Sequence, residues 1–187
     1  MDRVEFLDEF EKVLEQGLIK ICCSAELLGE DARSDGKVFL SPDIEAVWER
    51  IVKDYVADAV ANFNDFPFAA IGFSAFLGMK AAYLWDRGET DPAYAVLCGS
   101  KGFDAIDDTV LAELFADSEK EGRFVSECMV SCTTAVLALI KKEQIEPQTD
   151  TGFYALVRSY GVLFRIGAAV ELKRLGYVKS KLGDYLS

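Results

Sequence analysis

Residues 66–85, FPFAAIGFSAFLGMKAAYLW, contain a single charged side chain, Lys80. A helix with this composition is apolar around most of its circumference, so it needs other elements packed on every side. Pro67 stands at its beginning and Gly88 follows its end, as expected for residues that bound helices. The segment therefore predicts a buried central helix at about 67–87.

Two further segments have the same character. Residues 119–144 carry only Glu127 as a charge between positions 124 and 140, and residues 150–175 are apolar over most of their length. Because three such helices must be surrounded by others, we predict an all-α fold. The prediction is one domain over 1–187, a bundle of about six or seven helices with these three at its centre and residues 177–187 as a tail.

Capping residues and apolar periodicity place the remaining elements. Ser41-Pro42-Asp43 is a strong helix start, because serine caps free amides and proline suits the first turn. Residues 30–40 are predicted to form a polar loop. The other predicted segments are helices at about 4–28, 42–63, 92–99 and 103–115, and a very short strand at 37–40.

Charge limits the classes of partner. The 187 residues include 32 acidic and 20 basic side chains, a net charge of −12, which repels phosphate backbones and anionic lipid headgroups. The flanks of the apolar segment, Asp65 and Asp86, do not suit a membrane interface. We expect neither nucleic acid nor a membrane as a partner.

The chain contains no histidine. Histidine is the usual base of serine and cysteine nucleophiles, so Ser-His and Cys-His catalysis are excluded, as are carboxylate-histidine di-iron sites. The sequence therefore favours a protein that is not an enzyme.

Five cysteines are present, an odd number that includes an adjacent pair and an i, i+4 pair. This pattern indicates reduced, buried thiols, and the first residues lack the features of a signal peptide, so we expect a cytoplasmic protein. Cys128 and Cys132 share a helical face, as two metal ligands would. A zinc site would need further donors such as Cys22 or Cys23, whereas buried cysteines more often pack as small apolar side chains.

Two arginines interrupt the last apolar helix. Arg158 and Arg165 lie two turns apart, so they share a face, with Tyr160 nearby. They would bind a carboxylate or phosphate ligand, or pair with the protein's own acids. Ser100 and Lys101, within Gly-Ser-Lys-Gly, would likewise serve an anion or form a simple turn.

Asp104, Asp107 and Asp108 are spaced i, i+3, i+4, so their carboxylates share a face near a helix start. They would hold magnesium, with further acids between Glu45 and Asp65 facing them, or stabilise the first helical turn. Magnesium at this cluster is the one cofactor that the sequence suggests.

Three functions follow from these patterns. The first is a self-associating interaction or regulatory protein, a homodimer in its simplest form, because three apolar helices exceed what one small bundle readily hides. The second is a binding protein for a small anionic or hydrophobic ligand, with the arginines as anchor. The third is a magnesium-dependent phosphohydrolase that uses the carboxylates.

Overall fold

The computed structural model of the protein describes residues 1–60 and 65–178, which form eight α-helices and no strand. The prediction of an all-α fold is confirmed, and apolar helices pack at its centre. A 3₁₀ turn, Phe103–Ala105, leads into the sixth helix. The helices are α1 Arg3–Ser24, α2 Glu30–Asp35, α3 Pro42–Ala59, α4 Phe68–Asp86, α5 Tyr94–Cys98, α6 Ile106–Leu114, α7 Glu119–Lys142 and α8 Asp150–Arg174.

Capping residues fix the starts of the long helices. The Ser41 hydroxyl accepts a hydrogen bond from the amide of Asp43 at 3.3 Å, with Pro42 at the first helical position. The Thr149 hydroxyl accepts one from the amide of Gly152 at 3.0 Å at the start of α8. Each bond satisfies an amide that the helix itself leaves without a partner.

The region between α1 and α3 differs from prediction. Helix α1 ends at Ser24 rather than near residue 28, because Glu26 adopts a left-handed conformation with φ 60° and turns the chain. The predicted loop contains α2, which Gly36 ends at φ 67°. Residues 37–40 form no strand.

Two predicted boundaries fall partly outside the described residues. Helix α3 ends at Ala59, and the predicted continuation toward residue 63 lies in 61–64. Of the predicted tail, residues 179–187 lie outside the described part of the chain.

Helices α4 and α8 form the central pair and have the most extensive contact between any two elements. Gly78 of α4 lies against the backbone of Phe164 and Ala168, and Gly167 of α8 lies against that of Ala75. The two helices run parallel, because Tyr177, just past the end of α8, donates a hydrogen bond to Asp86 at the end of α4. Glycine permits the approach because a Cβ at either position would collide with a carbonyl oxygen.

The remaining long helices surround this pair. Helix α1 runs parallel to α8, since Arg3 pairs with Asp150 at one end and Lys173 donates to the Glu26 carbonyl at the other. Helix α7 packs against α1 and α4, while α3 covers both central helices and α6 packs on α4. One continuous hydrophobic cluster joins them.

By length and composition, three described helices are apolar enough to cross a membrane: α4, α7 and α8. Within the protein, 72% of the most apolar window of α4 and of α8 is buried, against 39% for α7. The central pair thus receives its apolar cover from other helices, whereas α7 leaves much of its surface to solvent.

Candidate functional site

The two arginines of α8 lie against acidic residues of α1. Arg158 pairs with Asp8 at 3.0 Å and with Glu11, and Arg165 pairs with Glu11 at 3.0 Å and Glu15 at 3.3 Å. Burial alone would lower the pKa of Arg165, but Glu15 and Glu11 outweigh it and raise that pKa. Of the two roles that the sequence allows, the contacts match internal ion pairing.

Tyr160 does not join the arginines. Its side chain is fully buried, with its ring 5.1 Å from that of Tyr55 on α3, and its hydroxyl has no hydrogen-bond partner among the described residues. Ser100 and Lys101 are exposed in the turn between α5 and the 3₁₀ segment. The five candidate anion-binding residues thus lie in three separate places, with Arg158 and Arg165 together at Glu11.

Asp104, Asp107 and Asp108 line a groove of about 290 Å³ between α4, α6 and α7. Its other wall includes the aromatic residues Phe73 and Phe76. No three carboxylates among the described residues bring their oxygen atoms within 4.8 Å of one another. The groove therefore combines apolar walls with negative charge, which suits an apolar cation better than an anion.

Two charged groups are buried in the core as ion pairs. Lys80, the one charge of the central apolar segment, pairs with Glu113 of α6, so its amine is engaged rather than free for nucleophilic chemistry. Glu171 of α8 is fully buried and accepts two hydrogen bonds of 2.7 Å from Arg174, whose guanidinium lies over the Phe115 ring. Burial raises the pKa of Glu171, against the opposing effect of Arg174.

The exposed face of α7 is nearly uncharged in its middle and was not predicted. Helix α7 buries one face and presents the other to solvent, where Glu127 is the sole charge between positions 124 and 138. Phe124 and Val130 are about half exposed, and Phe68 of α4 lies beside Val130 along the groove. We call this the α7 surface; its members are Phe68, Phe124, Glu127, Val130, Ser131, Thr134 and Ala138.

Three of the five cysteines meet between α1 and α7. The Cys22 sulfur lies 4.0 Å from that of Cys128 and 3.8 Å from that of Cys132, and all three sulfurs lie within 4.8 Å of one another. All three side chains are buried. The i, i+4 spacing of Cys128 and Cys132 was the feature of the sequence that indicated this cluster. The third cysteine is Cys22 and not Cys23. The Cys23 sulfur donates instead to the Gly29 carbonyl at 3.4 Å.

The three thiols influence one another's ionisation. Hydrogen bonds from Cys132 and then Cys22 lower the pKa of the Cys128 thiol to about 4, because a thiolate there would accept from two S–H groups. Hydrogen bonding with Cys128 raises the pKa of Cys22 and of Cys132. Of the three, Cys128 is therefore the thiol that ionises most readily. Cysteines of this kind bind soft metal ions or pack as apolar groups.

Comparison of the chain with models of known protein families, with curated proteins and with solved structures gives no match. Any functional assignment must therefore follow from the geometry of the molecule itself.

Proposed function

We propose that this protein is a self-associating interaction protein in which the α7 surface of one copy packs on the α7 surface of a second. The observation that carries the proposal is the exposed, nearly uncharged middle of α7 in a protein whose net charge is −12. Phe68, Phe124 and Val130 expose large apolar side chains there, and exposed apolar side chains grouped on one surface commonly mark an interaction site.

The length of α7 sets the scale of the contact. A helix of 24 residues is about 36 Å long and about 10 Å wide, so one face offers roughly 400 Å². That is about half of the roughly 800 Å² per partner found in stable complexes. With Phe68 beside it the surface supports a weak dimer, so we expect association that depends on protein concentration.

The ends of α7 favour a second copy as the occupant. The first turn is net acidic, since Glu119 and Glu121 outnumber Lys120, whereas the last turn carries Lys141 and Lys142. A two-fold axis perpendicular to the two helices makes the pair antiparallel, which brings each acidic end near the basic end of its partner and opposes the helix dipoles.

The same symmetry matches large to small side chains. With the two-fold axis near Ser131, Phe124 of one copy lies opposite Ala138 of the other, because the two positions are equally distant from residue 131. Small Ser131 and Thr134 let the helices approach closely at the centre. The surface is thus complementary to itself in charge and in shape.

The location also belongs to this proposal. All five cysteines are unpaired thiols and buried, which supports a reducing compartment such as the cytoplasm. The groove beside the α7 surface is lined by carboxylates, so it gives no support to the anionic-ligand alternative. The scattered carboxylates give none to the phosphohydrolase, and we propose neither.

A matched pair of valines tests the proposal. Val130 lies on the α7 surface and is 50% exposed, whereas Val96 lies on α5 and is 49% exposed. For the wild type, we expect the mass measured by sedimentation equilibrium to rise above 20.7 kDa with increasing concentration. Val130→Glu should stay at 20.7 kDa, and Val96→Glu should behave like the wild type. Both substitutions add one charge at an equally exposed site, so only the position differs.

Two results would overturn the proposal: a chain that stays at 20.7 kDa up to millimolar concentration, or association that Val130→Glu leaves intact. Binding of the monomer to uncharged lipid vesicles, lost in Val130→Glu, would assign the surface to a bilayer instead.

A further inference from the structure

We infer that Cys22, Cys128 and Cys132 form a binding site for a thiophilic d¹⁰ metal ion, Zn²⁺ or Cu⁺, which would bridge α1 and α7. The site lies on the buried side of α7, opposite the α7 surface, so it stands independently of self-association.

The spacing of the sulfurs matches metal coordination. With metal–sulfur bonds of about 2.3 Å, two ligands of a tetrahedral ion lie about 3.8 Å apart and two ligands of a trigonal ion about 4.0 Å apart. The sulfur of Cys22 lies 3.8 Å from one partner and 4.0 Å from the other. An ion at the centre of this triangle would therefore reach all three sulfurs with little movement of the helices.

The helices hold the ligands from two sides. Cys128 and Cys132 are one turn apart on α7, so their side chains project in the same direction, and Cys22 approaches from the last turns of α1. Ligands fixed on helices keep their positions better than ligands on loops. The alternative explanation is that the three cysteines only pack as apolar side chains. Such packing does not require three of the five sulfurs of the chain to meet at one point.

The donor set selects the class of ion. Sulfur ligands favour soft or borderline ions such as Cu⁺ and Zn²⁺, whereas magnesium and calcium need oxygen. Among the described residues, no histidine, aspartate or glutamate belongs to the group. Three thiolates can complete the coordination of Cu⁺, while Zn²⁺ would add a fourth ligand such as water.

Binding has a fixed proton balance. Three neutral thiols that bind Zn²⁺ as thiolates give a site of charge −1 and release three protons, and the same thiols with Cu⁺ give −2 and also release three. Any thiol already ionised at the start reduces the number released by one. Proton release is therefore a readout that a merely structural cluster would not produce.

The experiment uses the full chain, reduced with a non-chelating phosphine and freed of metal. Zn²⁺ is titrated against a chromophoric chelator, and Cu⁺ against a Cu⁺-specific chelator without oxygen, while proton release is followed in weak buffer. We expect one ion per chain, two or three protons released, and a higher melting temperature, because the site exists only in the folded chain. The ion that competes better with its chelator identifies the preferred metal.

Neighbouring cysteines supply the control. Loss of a residue that hydrogen-bonds to a metal ligand weakens metal affinity about 10- to 100-fold. Loss of a ligand itself, in Cys22→Ser or Cys132→Ser, should therefore weaken metal affinity by more than about 100-fold. Cys23→Ser changes the next residue of the same helix, which is also buried but lies outside the cluster, and it should leave the affinity unchanged.

The inference fails if neither ion binds in competition with its chelator, or if Cys22→Ser and Cys23→Ser bind alike. Circular dichroism of each variant shows whether the fold persists. If Cys22→Ser unfolds, the titration of the wild type still tests the three-thiolate site. Metal binding without proton release, or without a rise in melting temperature, would contradict such a site.

Discussion

Arg165 illustrates how a charged residue is accommodated on an apolar helix. Its guanidinium lies between Glu11 and Glu15 of α1, and its side chain is 23% exposed. Removal of one member of such a partly buried network leaves the others desolvated without a partner, which costs more than an exposed pair is worth. The network therefore fixes α1 on α8.

We expect Arg165→Met to lower the free energy of unfolding by about 1–3 kcal/mol, because Glu11 and Glu15 lose hydrogen bonds from a charged donor. Arg123→Met is the control, since Arg123 pairs with Glu119 at 3.3 Å on the exposed side of α7 and should matter by less than about 0.5 kcal/mol. Urea denaturation of both variants and the wild type makes the measurement.

Equal stability of the two variants would contradict this structural role. That result would favour the other role that the sequence allowed for Arg165, which is to anchor an anionic ligand.

The contact between α4 and α8 depends on residues without side chains. Gly78 and Gly167 each face the backbone of the opposite helix, so the two helix axes approach more closely than larger residues would allow. The helices contribute a large share of the core, and packing at such a seam tolerates little added volume.

We expect Gly78→Ala to lower the free energy of unfolding by about 3 kcal/mol, because its Cβ meets the rigid carbonyl of Phe164. Gly17→Ala is the matched control in α1, where a Cβ would have no atom within 4 Å. That substitution should raise the free energy of unfolding by about 0.5–1 kcal/mol, since alanine favours the helix. Chemical denaturation of both variants separates the two effects.

A Gly78→Ala protein as stable as the wild type would show that α4 and α8 do not approach as closely as described. A destabilised Gly17→Ala protein would instead indicate crowding around α1.

Over the whole molecule, charge and apolar surface oppose each other. In the proposed dimer, two copies that each carry a charge of −12 repel at long range, while apolar side chains of the α7 surface would attract at contact. The balance depends on ionic strength, because salt screens charges separated by more than a Debye length.

We therefore expect dimerisation to become severalfold tighter as salt rises from about 10 mM to about 100 mM, over which the Debye length falls from about 30 Å to about 10 Å. Sedimentation equilibrium at the two salt concentrations measures the change, with Val130→Glu as a monomeric reference. Dimerisation that weakened with salt would mean that ion pairs rather than apolar contact hold the copies together.

Local chemistry made much of the fold predictable. Ser41-Pro42 and Thr149 mark helix starts, and the apolar segments at 66–85, 119–144 and 150–175 predicted three central helices, of which α4 and α8 form the most buried pair. Helix α2 was missed because its six residues contain one apolar side chain, Ala32, which gives no periodic signal. For the candidate sites the sequence showed single partners, such as Cys128 with Cys132, but not the residues that meet them.

The sequence by itself determined the long helices and that α4 and α8 must be buried, because capping, helix propensity and apolar composition act between near neighbours. Tertiary structure decided which residues meet: Arg158 with Glu11, 147 positions away, and Cys22 with Cys132, 110 positions away. It also decided that α7 keeps an apolar face in solvent. These outcomes depend on how closely and in which direction whole helices pack, and no local pattern encodes that geometry.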